Sequence, residues 1–359
     1  MSAQGGFIVA LTAYLSQAAK DGASDLFLVP GAPVSYKLDG KLTPLETQKL
    51  TPQQGENFLL EIYSLANRSP EQFKATGDDD FSFSIPHLAR FRVNAYRQRG
   101  SWAAVIRIVA FSIPDWNALG IPSQVMALSE VSNGLVLVTG VAGCGKSTTL
   151  ACMVDRINHN RACHIITLED PIEYLHKNQR SIVSQREISI DTGDFLCALR
   201  ACLRQAPDVI QLGEMRDAET IRTAMTAAET GHLLLATLHT RGAVNSIDRI
   251  IDTFPADQQE QIRFQLSAVL HTVVSQQLLP DVNGGLASAF EVLHITDAVR
   301  SLIRDSKNYQ IRSEIASGSN GGMLSMDQSI LQLYQQGKIT RETALTYCDN
   351  PDQMRRRIG

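Results

Sequence analysis

The sequence predicts an α/β fold, a parallel sheet with helices on both faces, preceded by a smaller α+β domain. Three observations carry this reading. Beyond residue 123, short apolar runs alternate with helical stretches, the pattern of strands buried on both faces. Before residue 110, strand-like runs are separated by turn residues and follow one amphipathic helix. Between them, Pro114, Gly120 and Pro122 punctuate residues 111–122, which read as a linker. The expected domains are therefore 1–110 and 123–359, each large enough to bury its own core.

Each element has its own signal. Residues 7–20 place Ile8, Leu11 and Leu15 on one helix face. Residues 26–28 and 34–38 have strand composition, and Asp39-Gly40 is a dipeptide favoured in tight hairpins, whose central residues need positive φ. Residues 81–83, 91–93 and 103–109 extend the same sheet. In the second domain, strands are expected at 134–139, 164–168, 209–212 and 233–238, with helices at 147–158 and 218–230. After about residue 255 the pattern reads as mostly helical. There Ser325 and Gln328 form an S-x-x-Q capping box, and Gly337 stands where a helix ends.

Composition excludes several classes. Lys+Arg 33 against Asp+Glu 37 gives a net charge of −4, so no bulk positive charge is present to hold a nucleic-acid backbone. A content of 44% hydrophobic and 19% charged residues suits a folded, soluble chain. Residues 7–15 have neither the preceding basic residues nor the cleavage site of a secretory signal. No stretch approaches the roughly 18 apolar residues of a membrane span. A cytoplasmic protein without membrane insertion is expected. Its six cysteines contain no C-x-x-C pair, and they read as reduced thiols, most of them in the core.

The strongest chemical signal is Gly140-Val141-Ala142-Gly143-Cys144-Gly145-Lys146-Ser147, which satisfies G-x-x-x-x-G-K-[ST] between an expected strand and an expected helix. Its glycines let backbone N–H groups converge on a phosphate at a helix N-terminus, while Lys146 reaches the β and γ oxygens. Ser147 is placed to bind Mg²⁺, and Thr148 follows it in the same turn. With Gly near 7% of residues, a chance match in this length has a probability on the order of a per cent. A nucleoside triphosphate site is therefore expected, with Cys144 a tolerated small side chain in its loop.

Polar clusters stand at the ends of three other expected strands, where ligands collect in parallel sheets. The first, Leu168-Glu169-Asp170-Pro171-Ile172-Glu173, offers two carboxylates that can orient an attacking water and take its proton. The second ends in Gly213-Glu214, an acid able to hold the Mg²⁺ shell where Asp is more usual. The third is His239-Thr240, a candidate γ-phosphate sensor. His232, before that strand, reads equally well as a core histidine.

These residues resemble the secretion ATPases, and within them the PilT-type retraction motors of type IV pili. The likeness covers nearly the whole chain, including residues 22–26, Arg90-Phe91-Arg92-Val93-Asn94, the phosphate loop, the acidic box ending at Glu173, Gly213-Glu214-Met215-Arg216-Asp217 and Thr237-Leu238-His239-Thr240. Ala298-Val299-Arg300-Ser301-Leu302-Ile303-Arg304-Asp305 resembles the A-I-R-N-L-I-R-E helix of the retraction branch. Departures are Phe27, Cys144 and Ser301, none of which removes a catalytic group. Residues 275–295 lack the cysteines of the zinc insertion usual in assembly motors, which favours retraction.

The resemblance implies a homo-hexamer with a PAS-like N-terminal domain flexibly linked to a RecA-like ATPase domain, and ATP bound between them. It implies Glu173 as general base, Glu214 as the atypical Walker B acid, His239 as sensor, and Arg92 and Arg107 as arginines reaching across from the N-terminal domain. Partners would be an inner-membrane pilus platform protein and, indirectly, the pilin system, with the motor peripheral at the inner face of the cytoplasmic membrane. The alternatives are an accessory or assembly ATPase of a pilus or secretion system, a nucleotide-dependent scaffold, and a RecA-like nucleic-acid translocase. The acidic balance and the retained catalytic groups disfavour the last two.

Overall fold

In the first sheet, β1 (Asp25–Leu28), β2 (Pro33–Leu38), β3 (Lys41–Lys49), β4 (Asp78–Ile85), β5 (Ala89–Gln98) and β6 (Ser101–Val109) pair antiparallel in the order β3-β2-β1-β6-β5-β4. The computed structural model describes residues 4–38, 40–86, 88–109 and 112–359, except the side chains of 4–10, 319 and 320. Alternation decides which face is covered: Phe91, Val93 and Ala95 are buried, while Arg92 and Asn94 point to the other side. Helices Gln4–Lys20 and Pro52–Leu65 supply Leu11, Leu15, Phe58, Leu59 and Ile62 to that apolar face. The Ile8 side chain and Asp39 lie outside the described residues. Gly40 has φ +77° between the paired Leu38 and Lys41, as a tight hairpin requires.

Three elements of this unit, β3 and helices Pro52–Leu65 and Glu71–Thr76, escaped the sequence reading. β3 is mostly exposed and contains Pro44, which an edge strand tolerates. Helix Pro52–Leu65 starts with a reciprocal capping box, Thr51 Oγ1 accepting the Gln54 N–H at 3.3 Å and Gln54 Oε1 accepting the Thr51 N–H at 2.8 Å.

The second sheet contains β7 (Gly134–Thr139), β8 (His164–Glu169), β9 (Ile182–Glu187), β10 (Val209–Leu212), β11 (Leu233–Leu238), β12 (Leu270–Pro280) and β13 (Leu286–His294). Their order among the described residues is β13-β12-β7-β11-β10-β8-β9, parallel throughout except for the β12–β13 hairpin. Alternate residues of each strand feed different cores. Val136, Val138, Leu235 and Val274 pack with Leu150, Val154 and Ile157 of helix Lys146–Asn160. Leu135, Leu137, Leu234 and Val273 pack with helices Ala218–Glu229, Ala243–Asp252 and Gln259–Val269. The expected α/β architecture, helices on both faces of a mostly parallel sheet, is what the chain adopts.

The segment after residue 255 is mostly helical, as expected, but the sequence reading missed the β12–β13 hairpin within it. The β-branched Thr272, Val273 and Val274 and the Asn283-Gly284 turn favour a hairpin, and burial on both faces hides its two-residue period. Helix Met326–Gln335 begins with Ser325 Oγ accepting the Gln328 N–H at 3.3 Å. It ends with Gly337 at φ +69°, while the Lys338 N–H reaches the Leu333 carbonyl, a Schellman closure.

The chain divides into two compact units, Met1–Ser112 with Glu173–Leu175, and Ile113–Ile172 with His176–Gly359. Within the second, Ile121 is buried and Ile113, Trp116 and Leu119 pack against the Val136–Leu150 core. No helix among the described residues is long and apolar enough to cross a membrane. Of the cysteines, Cys144, Cys152 and Cys202 are buried, whereas Cys163 and Cys348 are half-buried and Cys197 is exposed, fewer in the core than expected.

Candidate functional site

Gly140 to Ser147 leave the end of β7 as a glycine loop and enter helix Lys146–Asn160. A Cβ at Gly140 would meet Cys144 Sγ and the Gln276 carbonyl oxygen at 2.5 Å each, and Gly145 sits at φ +89° with Gln276 Nε2 2.9 Å from its missing Cβ. Only glycine fits either position. Gly143, at φ +76°, faces open space. Lys146 is buried and donates from Nζ to the carbonyls of Gly140 at 2.8 Å and Val141 at 2.9 Å, so its ammonium lies over the loop. Ser147 and Thr148 occupy the first helical turn, where the helix dipole favours an anion. Burial pushes the Cys144 thiol up, which keeps it a neutral packing group.

Because β7, β11, β10 and β8 run parallel as neighbours, their C-terminal ends share one edge. Glu214 follows β10 and His239 follows β11, and Glu214 Oε1 lies 3.6 Å from His239 Nε2. The other carboxylate oxygen pairs with Arg216 at 2.7 Å. The Thr237 hydroxyl donates to the Gly213 carbonyl and the Met215 N–H reaches Thr237 O at 3.3 Å, which fastens the Glu214 turn to β11. A glycine loop with a lysine, a serine hydroxyl and a carboxylate on one sheet edge suits a phosphorylated ligand. The hydroxyl and carboxylate are hard oxygen donors of the kind that Mg²⁺ takes. His232 caps the helix before β11, its Nδ1 2.9 Å from Ala227 O, at the opposite end of that strand.

The two acids of the first cluster differ. Glu169 ends β8 buried, its Oε1 accepting the Thr167 hydroxyl at 2.6 Å and the Gln185 amide at 3.1 Å. Glu173 is exposed. The expectation that it belongs to the same compact body as the phosphate loop is corrected: residues 173–175 group with the first unit. Side chains of β9 hold the segment on either side, Glu187 Oε2 accepting the Ile172 N–H at 3.3 Å and Gln185 Oε1 accepting the His176 N–H at 2.8 Å.

Arg92 and Arg107 lie in the first unit on adjacent strands, each paired with an aspartate. Arg92 meets both carboxylate oxygens of Asp80, at 3.2 and 2.7 Å, and Arg107 Nε meets Asp25 Oδ1 at 3.1 Å. Sequence reasoning missed Gln276, which touches the loop from β12, and the β9 pair Gln185 and Glu187. The available signal for Gln276 was a run of three polar residues inside the apolar stretch 273–279.

Residues 2–288 match the family described as type II/IV secretion system protein. The type IV pilus retraction ATPase PilT of Pseudomonas aeruginosa is 42% identical over 334 residues, 93% of this chain and 96% of that protein. The type IV pilus ATPase PilU of the same organism is 40% identical over 335 residues, covering 93% and 87%. A crystal structure of the pilus retraction motor PilT with bound ADP has a TM-score of 0.86 to this chain at 45% identity, covering 95% and 97% of the two.

Proposed function

The chain belongs to the family of type II/IV secretion system proteins, and from that membership we propose that it is an ATP-hydrolysing motor that powers type IV pilus retraction. One observation carries the reading. A complete phosphate loop shares a sheet edge with Glu214 and His239, in a chain 42% identical to a retraction ATPase over nearly the full length of both.

In this reading the N–H groups of Gly140, Gly143, Cys144, Gly145, Lys146, Ser147 and Thr148 cradle the phosphates of ATP. Lys146 leaves the Gly140 and Val141 carbonyls and turns its ammonium to the β and γ oxygens. Ser147 and Glu214 would hold Mg²⁺, which supplies charge neutralisation between the phosphates when bound. Glu173 takes the proton of the attacking water, and His239, beside Glu214, senses the γ-phosphate. Arg92 and Arg107 neutralise charge developing in the transition state. The working parts are domains 1–110 and 123–359 with the linker 111–122, assembled as a homo-hexamer. The motor acts in the cytoplasm, peripheral at the membrane's inner face, through an inner-membrane platform protein and so on the pilin system, without direct contact to nucleic acid or insertion into the bilayer.

The experiment is restoration of retraction in a host strain lacking the gene, with phosphate release measured on the purified chain. Wild type is expected to restore both, and Lys146→Ala neither, because it removes the side-chain cation that the loop positions. Unchanged hydrolysis in Lys146→Ala would discard the phosphate-loop assignment. Hydrolysis without restored retraction would leave a motor of another pilus or secretion step.

A further inference from the structure

Three consecutive polar side chains, Ser275, Gln276 and Gln277, are buried in the middle of β12, between Val273-Val274 and Leu279. Burying polar groups in a strand is costly unless each finds a hydrogen-bond partner. All three do, and the partners lie on opposite sides of the sheet. Gln276 Oε1 accepts the Thr149 hydroxyl at 2.8 Å, from the helix that follows the phosphate loop. Its backbone carbonyl and Nε2 are the atoms that press on Gly140 and Gly145. Across the sheet, Ser275 Oγ accepts the Gly242 N–H at 2.9 Å and Gln277 Oε1 accepts the Arg241 guanidinium at 2.8 Å. Arg241 and Gly242 come directly after His239-Thr240.

Side chains of successive strand residues leave opposite faces of a sheet, so one strand can grip both segments at the same level. We propose that β12 couples the two halves of the nucleotide site. Gln276 is a positioning residue for the phosphate loop, and Ser275 and Gln277 position the segment after His239 from the other face. The strand itself is fixed, pairing with β7 at Val274↔Val138 and Ser275↔Thr139 and with β13 along its length. A displacement of either segment is therefore passed through a paired strand to the other, and the coupling is equal in both directions. This inference rests on the ATPase reading above and names residues that reading does not use.

The test is a double-mutant cycle on the full chain, with KM and kcat for ATP and melting temperature measured for each variant. Thr149→Val removes the hydroxyl donor, Thr149→Ser keeps it, and Arg241→Met removes the guanidinium on the opposite face. Thr149→Val is expected to raise KM about tenfold, the usual worth of a buried hydrogen bond, while Thr149→Ser stays within about twofold of wild type. In the double variant the loss in kcat/KM should be smaller than the product of the single losses by about threefold or more. Gln276→Met, of similar volume, repeats the cycle from the strand if Thr149→Val folds poorly. Wild-type KM in Thr149→Val and Gln276→Met, or losses that simply multiply, would overturn the coupling while leaving the ATPase reading intact. A wild-type chain without ATP turnover would overturn both.

Discussion

Arg92 on β5 and Arg107 on β6 stand directly opposite one another in the antiparallel register, on the sheet face turned away from the apolar core. Like charges in such positions repel, and here Asp80 and Asp25 each take one of them. Two guanidinium groups are thus held side by side on one surface of the first unit.

If these groups serve as arginine fingers, Arg92→Ala and Arg107→Ala should each lose most of the ATP turnover, by roughly 10³ to 10⁵, while still assembling. The Arg92–Asp80 pair is solvent-accessible and contributes at most about 1 kcal/mol, so the melting temperature of Arg92→Ala should barely move, whereas Arg107→Ala takes the guanidinium from the buried Asp25 and should lower it more. Phosphate release near wild type in both variants would remove the arginines from the site. So would a fragment from about residue 123 with full activity.

Glu169 and Glu173 are separated by their surroundings. Glu169 is buried and already accepts two hydrogen bonds, which an amide oxygen can also accept. Glu173→Gln is expected to keep nucleotide binding and to lose hydrolysis by roughly 10² or more, whereas Glu169→Gln should retain it. Single-turnover phosphate release beside a binding titration checks this. The opposite pattern would reassign the base to Glu169.

Arg300 and Arg304, four residues apart on helix Asp297–Arg304, have different roles in the structure. Arg300 donates to the Ser267 carbonyl and, at 3.0 Å, to that of Ala268, two of the unpaired carbonyls ending helix Gln259–Val269. Arg304 is exposed and reaches Ser301 Oγ at 3.1 Å. Arg300→Ala should cost about 1–2 kcal/mol in a urea melt, and Arg304→Ala almost nothing. The retraction reading further expects Arg304→Ala to leave assembly and ATPase intact and to stop retraction in cells. Wild-type retraction by that variant would make Arg304 a surface residue only.

His176 sets a pH dependence. Burial lowers its pKa from 6.5 to about 4, so between those values the folded chain binds fewer protons here than the unfolded one. Its contribution to stability is intact above the unfolded value and declines as pH falls from 6.5 toward 4, by up to ~3 kcal/mol. His176→Gln should flatten that limb of a stability profile measured by urea melts at stepped pH. An unchanged acid limb in His176→Gln would place the titration elsewhere.

By itself the sequence determined the chemistry that is contiguous in the chain. Gly140, Gly145, Lys146 and Ser147 are legible because a phosphate loop is a local backbone shape, and its glycines and lysine must fall at fixed spacing. The central parallel strands are legible for the same reason, since burial on both faces writes an unbroken apolar run such as 233–238. Where polar residues interrupt the run, as in β12, or an edge strand stays exposed, as in β3, the local pattern lost its meaning. Only the tertiary structure put Glu214 against His239, Thr149 against Gln276 and Arg92 opposite Arg107, and it separated Glu173 from the loop's own compact unit. Those relations depend on strand order and register, which are fixed by hydrogen bonds between segments distant in sequence, and no window of the chain contains both partners.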